Sequence, residues 1–489
     1  MDYYLYPGSD WIINIKVKMN LQGKAVLVLG MGETGLSMVK WLLRQGAKVR
    51  AADSRQEPPT WKEMIEKYSE VQVYRGKFEA QILDGIEIIA ISPGVPVADS
   101  FVQQAIRLGI PVIGDLVLFS WALEQNKLPK PKILAITGSN GKTTVTSMVG
   151  AMLRKSGWDV AVAGNIGPAV LSVLMEQLDV GNWPQAWVLE TSSFQLETTH
   201  NLNADVATVL NVSEDHLDRY TCMQDYIAAK LKIFLRENGS VCAQILNRND
   251  SRISEMALAE GKQITFGWDM PPTHVDFGIL QDGDDLWLME GPHRLVRTTE
   301  LVVNGLHNAV NALAALAMCR ALDIAIDPLV SALREFRGLP HRMEKVAAFN
   351  GVTFFDDSKS TNVGATIAAL NGMKQNVILI AGGDGKGQDF SHLRQAVAEN
   401  TRAVVLIGRD AEIIADELKD CGVPIHFATT MEEAMQKSFL LAQAGDVVLL
   451  SPACASFDMF RNYIHRAEVF VAAVKDIENK FFNFGQKKH

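Results

Sequence analysis

The chain has 489 residues, 48% hydrophobic and 21% charged, with 47 Lys plus Arg against 56 Asp plus Glu and a formal net charge of −9. That composition specifies a globular protein with large cores and roughly three domains, and without a long basic run it argues against a nucleic-acid partner. Five scattered cysteines (Cys222, Cys242, Cys319, Cys421 and Cys454) with no CxxC pair exclude a disulfide framework and a structural zinc site, and no apolar run reaches the ~18 residues of a membrane span.

Residues 1–20 lack a basic n-region and a small-residue cleavage site, so they read as an N-terminal extension and make a poor signal peptide. Ordered patterning begins at Leu21. "KAVLVLG" predicts a buried strand, the glycine turn "GMGETG" follows, and a helix starts at about Thr34. "AKVRAADS" predicts the next strand, and "IEIIAISPG" and "IPVIGD" carry this first unit, residues 21–114, to its end. A second unit, residues 115–338, holds strands in "PKILAIT", "AWVLETSS" and "ADVATVLNVS". The stretch "HVDFGILQDGDDLWLMEGPHRLV" predicts antiparallel hairpins with Asp-Gly and Glu-Gly turns. The third unit, residues 339–489, alternates helical stretches with the strand candidates "VTFFDD", "NVILIAGG", "AVVLIG" and "DVVLLSPA". Strands alternating with amphipathic segments specify α/β domains with largely parallel sheets.

Two glycine-rich turns carry the first chemistry. In "ILAITGSNGKTTVTSMVGAMLRKSG" an apolar strand ends at Thr137, a loop follows, and a helix opens with Val145, Met148, Val149, Met152 and Leu153 on one face. Backbone N–H groups of such a loop, Gly138, Ser139, Asn140, Gly141 and Thr144 among them, point at phosphate oxygens beside a positive helix N-terminus. Lys142 would reach the outer phosphates and Thr143 would coordinate Mg²⁺. The usual P-loop glycine is replaced by Ile136, and the first glycine is Gly138. "GMGETG" with Asp53 after the next strand matches a dinucleotide fingerprint, for NAD or for another nucleotide-like ligand.

Glu190 and His216 each follow or end a strand, where they would face the phosphate loop across the crevice. An oxygen-rich set with one imidazole suits Mg²⁺ or Mn²⁺. Lys230 lies off the apolar stripe Ile227, Leu231 and Phe234 of "YIAAKLKIF", which predicts a solvated lysine. Asn308 and Asn311, three apart on an alanine-rich helix, could read an adenine edge or simply cap and pack. Lys359, Thr361, Lys386 and Ser456 follow separate strands, and their convergence at one sheet edge would suit a small dianionic substrate.

Taken together these motifs resemble the Mur ligases, ATP-dependent amide-forming enzymes of peptidoglycan synthesis, and among them the D-glutamate-adding branch. "TGSNGKTT", "GNIG", "ETSSFQLE", "EDHLDRY", "AAKLKIF", "GLPHRME", "DDSKSTN", "GGDGKG" and "SPACASFDMF" carry the resemblance from about Leu21 to the C-terminus. It implies a Rossmann-like UDP-binding domain, a central P-loop ATPase-like domain and a C-terminal Rossmann-like domain. It reassigns the first glycine turn to the UDP of the sugar substrate, through Glu33, Thr34, Gly35, Asp53, Arg55, Ser92, Pro93 and Gly94, with Asn165 reaching in from the central domain. It implies that Lys230 is carbamylated and holds a second Mg²⁺ beside Glu190 and His216. It places Asn308, Asn311, Arg342 and Asp357 on ATP, makes Lys359 an active-site lysine, and gives Thr361, Lys386, Ser456 and Tyr463 to D-glutamate. Tyr463 stands where the family commonly has Phe. The implied substrates are ATP, UDP-N-acetylmuramoyl-L-alanine and D-glutamate, for a cytoplasmic monomer with no nucleic-acid or membrane partner. The alternatives are a sibling ligase for another amino acid, an NAD-dependent oxidoreductase, and a non-catalytic nucleotide-binding module. The D-N-P-R motif of the meso-diaminopimelate-adding sibling is absent.

Overall fold

The computed structural model describes residues 20–485 apart from Lys127, Ile166, Asn201, 214–218, Thr221, Glu237, Asn304 and Lys374. Three sheets follow one another along the chain. The first runs Gln72–Arg75, Lys48–Asp53, Ala25–Leu29, Ile88–Ile91, Val112–Ile113, and the strand pairs in it are parallel. The central sheet has nine strands, with Lys132–Thr137 between Ala186–Glu190 and Val206–Val209. The third has six strands, led by the antiparallel pair Glu344–Phe349 and Val352–Asp356. Strands buried on both faces read as apolar runs, because helices cover a parallel sheet on each side.

The hairpins expected after residue 274 are present. Phe277–Asp282 pairs antiparallel with Asp285–Glu290, which pairs with His293–Arg297. They extend the central sheet through Gln263–Phe266, which pairs parallel with Ala243–Asn247 on one side and with Phe277 on the other. Six strands have no counterpart in the sequence reading: Gln72–Arg75, Val160–Gly164, Ala243–Asn247, Gln263–Phe266, Glu344–Phe349 and Ile425–Phe427. Glu344–Phe349 opens on two charged residues and is mostly exposed or half-buried, and its pairing comes from its partner strand more than from its own pattern.

The cores show how the units are joined. One apolar cluster contains Val26, Val28 and Leu42 of the first unit together with Trp187, Leu189 and Phe234 of the second. Phe119, on the helix Asp115–Gln125, meets Trp187 edge to face at 4.8 Å. The third unit has its own cores, one around Leu379, Leu406 and Leu449 and another around Phe354, Ile380 and Phe470. Burying such side chains contributes about 1.5–3 kcal/mol each, so the first two units are bound through apolar burial. The third meets the phosphate loop through hydrogen bonds.

The glycine turn explains how the first helix, Glu33–Arg44, lies so close to its strand. A Cβ on Gly35 would sit 1.8 Å from the carbonyl oxygen of Gly30. Gly35→Ala is therefore expected to destabilise the protein by about 1–3 kcal/mol. Gly32→Ala, at φ −93° with open space around its Cβ, should leave Tm unchanged in the same thermal melts. Equal melting of the two variants would refute the close-approach argument.

Candidate active site

The phosphate loop lies at the C-terminal end of Lys132–Thr137, an interior strand of the nine-stranded sheet, third from the Val160–Gly164 edge. Gly141 caps the helix Lys142–Lys155 at φ +83°, and a Cβ there would lie 2.5 Å from Asn311 Oδ1. Asn311, on the helix Leu306–Arg320, is thereby seated on the loop, as an adenine-side residue would be. Lys142 Nζ donates to the carbonyls of Gly138 and Ser139, both at 2.9 Å. Asn140 N donates to Asn211 Oδ1 at 2.8 Å, and Asn211 Nδ2 returns to Asn140 O at 3.1 Å. The loop is thus held in shape by its own lysine and by the neighbouring strand end.

Glu190 ends Ala186–Glu190 beside the loop and is 1% exposed. Asn165 Nδ2 donates to its Oε1 at 2.7 Å, while its Oε2 is buried without a hydrogen-bond partner among the described residues. A buried carboxylate oxygen left without a donor is costly unless a cation completes it. Lys230, expected to be solvated if judged by its helix stripe alone, is 1% exposed. Its Nζ donates to Gly138 O at 3.1 Å and lies 4.4 Å from the Tyr226 ring centroid. The amphipathic stripe ranks side chains by hydrophobicity, and here a polar backbone target drew the lysine inward instead. The free Oε2 of Glu190 and the hydroxyl of Thr143 are oxygen donors of the kind Mg²⁺ takes, so these two residues fit that ion; the Lys230 ammonium is not a ligand and would become one only as its carbamate. His216 lies outside the described residues.

At the first glycine turn, Asp53 is 3% exposed and accepts from Met31 N at 2.7 Å, and from Arg55 N, Nε and Nη2 at 2.7–2.9 Å. Burial alone would raise its carboxyl, but the bonds from Arg55 and Met31 outweigh it and hold the group below the usual range. Glu33, Thr34 and Gly35 open the helix above this carboxylate. Ser92 is buried where the next strand ends, and its N–H donates to Leu29 O. Gly94 is exposed beside it.

The third unit brings its strand ends to the same place. Arg342 Nη2 donates to Thr143 Oγ1 at 2.7 Å, and Asn140 and Asn362 exchange amide hydrogen bonds at 3.1 and 3.2 Å. Burial pulls the Arg342 guanidinium below its ordinary pKa, against the opposing pull of Glu190 and Asp357. Asp357, fully enclosed, is pushed up to about 6 by burial, although Ser360 and Ser451 hydroxyls donate to it. Lys359 lies 3.9 Å from the centroid of the Tyr463 ring. Burial first, and then the cations Arg342, Lys142 and Lys386, lower it to about 8, while Glu190 opposes them. Lysines of both units and the Glu190 carboxylate therefore act on one volume. Lys386 sits at φ +53° in a loop bridged by Asp384 to Ala455, next to buried Ser456. Thr361 is half-buried in the adjoining loop. Asn308 lies on the same helix as Asn311, in the turn before it.

Sequence reasoning missed the residues that tie these loops together. Gln388 accepts from Val363 N and donates to Gly385 O and Ala453 O, so one amide joins three strand-end loops. Arg466, 1% exposed, donates to Cys454 O and Ser358 O. Their partners are backbone carbonyls distant in sequence, which leave no local pattern. The group His341, Glu344 and Asp356 has metal-like spacing. His341 and Ser358 already bond its carboxylates, and we read it as a brace under Lys359.

Comparison with known proteins agrees in extent and in kind. The profile of the Mur ligase MurD-like N-terminal domain matches residues 24–114, that of the Mur ligase middle domain 136–319, and that of the Mur ligase glutamate ligase domain 341–454. A UDP-N-acetylmuramoylalanine–D-glutamate ligase of Nitrosomonas europaea is 59% identical over 96% of this chain and 100% of its own length. One from Nitrosospira multiformis is 60% identical over 94% and 97%. Among solved structures, UDP-N-acetylmuramate-alanine ligase of Thermotoga maritima shares the fold with a TM-score of 0.59 at 18% identity, covering 92% of this chain and 99% of its own. From the matched profiles and the near-full-length relatives together, this chain belongs to the Mur ligase family.

Proposed function

We propose that this chain joins D-glutamate to UDP-N-acetylmuramoyl-L-alanine at the expense of ATP, through an acyl phosphate, in peptidoglycan precursor synthesis. The observation that carries this is the junction itself, where a phosphate loop, a buried carboxylate short of a donor, and a lysine cluster at three strand ends face one another. The relatives of Nitrosomonas europaea and Nitrosospira multiformis, named as D-glutamate ligases, supply the substrate names. The N-terminal match removes the reason to read "GMGETG" as an NAD site.

The chemistry follows from the placement. A carboxylate is a poor acyl donor in water, so the L-alanyl carboxylate of the sugar nucleotide first takes the γ-phosphoryl group of ATP. Lys142, with the N–H groups of residues 138–144, would bind the phosphates, and Asn308, Asn311, Arg342 and Asp357 would hold the nucleotide. Mg²⁺, held by Thr143, Glu190, His216 and Lys230 as a carbamate, would offset phosphoryl charge as a Lewis acid. Lys359 would attract the growing negative charge from the opposite side. The sugar nucleotide would lie along Glu33, Thr34, Gly35, Asp53, Arg55, Ser92, Gly94 and Asn165. Asn165 already touches Glu190, which would bring the acyl end to the phosphoryl group. D-glutamate would be held by its carboxylates on Thr361, Lys386 and Ser456, with a backbone contact at Tyr463, leaving its amine to attack the acyl phosphate. Docking of the third unit on the phosphate loop would exclude water from that intermediate. We read the enzyme as a cytoplasmic monomer; no described helix is long and apolar enough to cross a membrane.

Purified protein with ATP, Mg²⁺, bicarbonate and UDP-N-acetylmuramoyl-L-alanine should release phosphate with D-glutamate. L-glutamate, L-lysine and meso-diaminopimelate should give none, and release with one of these instead would move the chain to a sibling specificity. Glu190→Gln should lower kcat by about 10²-fold or more, and retention of more than a tenth of the activity would remove Glu190 from the chemistry. The sign of the Lys359 shift gives a pH test. With its pKa lowered to about 8, the free-enzyme ammonium loses its proton as pH rises through 8. The kcat/KM for D-glutamate should therefore carry an alkaline limb near pH 8 that Lys359→Arg lacks. An unchanged limb in that variant would assign it to another group.

A further inference from the structure

Arg219 has no part in the reactions above, yet both terminal nitrogens of its guanidinium are bonded at the seam between the first two units, while its Nε is buried without a partner among the described residues. It is 10% exposed. Its Nη1 donates to Pro93 O and its Nη2 to Val95 O at 3.3 Å, two carbonyls of the turn that follows the strand Ile88–Ile91. Its Nη2 also pairs with Glu197 Oε2 at 3.1 Å, on the central unit. Its guanidinium carbon lies 3.9 Å from the Phe194 ring centroid. Ile91, Ser92, Val95, Asp115, Gln195 and Arg219 close the seam tightly enough to leave no room for water. A guanidinium that spans two carbonyls, a carboxylate and an aromatic face uses the planar fork that a lysine lacks.

The turn it grips is Ser92–Val95, closed by Val95 N donating to Ser92 O. Behind Arg219 a contiguous stack continues: Phe194 on Tyr220 at 6.1 Å, Tyr220 on Tyr226 at 5.2 Å, and the Tyr226 hydroxyl to Ser139 Oγ of the phosphate loop at 3.1 Å. One chain of packed groups thus runs from the turn of the first unit to the phosphate loop of the second.

We propose that Arg219 is a positioning residue that fixes the Ser92–Val95 turn, and with it the sugar-nucleotide substrate, in register with the phosphate loop. This rests on the reading of that turn as part of the UDP-substrate rim. Phe194 provides the flat surface that holds the guanidinium in plane, and Glu197 sets which way the fork points. Loss of the fork frees the turn, so the acyl end of the sugar nucleotide arrives out of line with the transferring phosphoryl group.

The test compares wild type, Arg219→Lys and Arg219→Gln, with thermal melts to establish folding and with two readouts. The first is direct calorimetric titration with UDP-N-acetylmuramoyl-L-alanine, and the second is the set of KM values from phosphate release. Both variants should bind the sugar nucleotide about tenfold or more weakly, with the matching rise in its KM, while KM for D-glutamate stays within about twofold. If Arg219→Gln does not fold, Arg219→Lys alone decides. Unchanged affinity for the sugar nucleotide, or an equal rise in KM for all three substrates, would overturn the proposal by reducing Arg219 to a general brace. A wild-type protein that binds the sugar nucleotide but shows no D-glutamate-dependent release would defeat the functional reading, and the titration would still decide Arg219. A wild type that does not bind it at all would overturn both.

Discussion

The structure depends on one contact surface, the phosphate loop between Gly138 and Thr144. It follows an interior strand of the central sheet, its lysine and Asn140 are bonded into its own frame, and the third unit docks on its rim through Arg342 and Asn362. A backbone loop rich in N–H groups is a site for phosphate before any side chain is counted. Everything else that carries chemistry is arranged around it at the ends of strands, where parallel sheets leave their crevices.

The two junctions of the molecule are built from different physics. The first unit shares an apolar core with the second, so its placement is set by burial that has no preferred direction and is lost only on unfolding. The third is held at the loop by a few directional bonds to groups that water can also satisfy, each contributing on the order of 1 kcal/mol net. The first unit is therefore packed onto the unit that carries the phosphate loop. The third unit meets that loop through polar contacts that solvent or a ligand can replace. That asymmetry suits an enzyme that must admit three substrates and then shut out water.

Much of this was legible in the sequence, for identifiable reasons. Apolar runs ending in glycine turns announce strands whose loops need an unusual backbone, and "KAVLVLG" and "PKILAIT" are where they were expected. The Asp-Gly and Glu-Gly turns marked the hairpins because they encode local geometry. Lys230 was harder, since nothing on its own helix says that Gly138 O waits across the crevice. Gln388, Arg466 and Arg219 were invisible for the same reason: each binds main-chain groups that lie on other loops, such as Val363 N, Ser358 O and Pro93 O, and any residue type presents the same groups. Glu344–Phe349 was missed because an edge strand with polar positions is recruited by its neighbour.

The amide pair between Asn140 and Asn362 has a consequence for how this sequence can drift. The two side chains lie 222 positions apart, and each gives one N–H and takes one carbonyl from the other. Such a pair is self-complementary. An aspartate on one side would set two acceptors against each other, and a shorter hydroxyl would not span the gap. A change at one position alone therefore removes both bonds at once and leaves the other amide to solvent, and at Asn362 it also removes the cap that accepts from Ala365 N. Across descendants of this chain the two sites should behave as a single inherited character, although one belongs to the second unit and the other to the third.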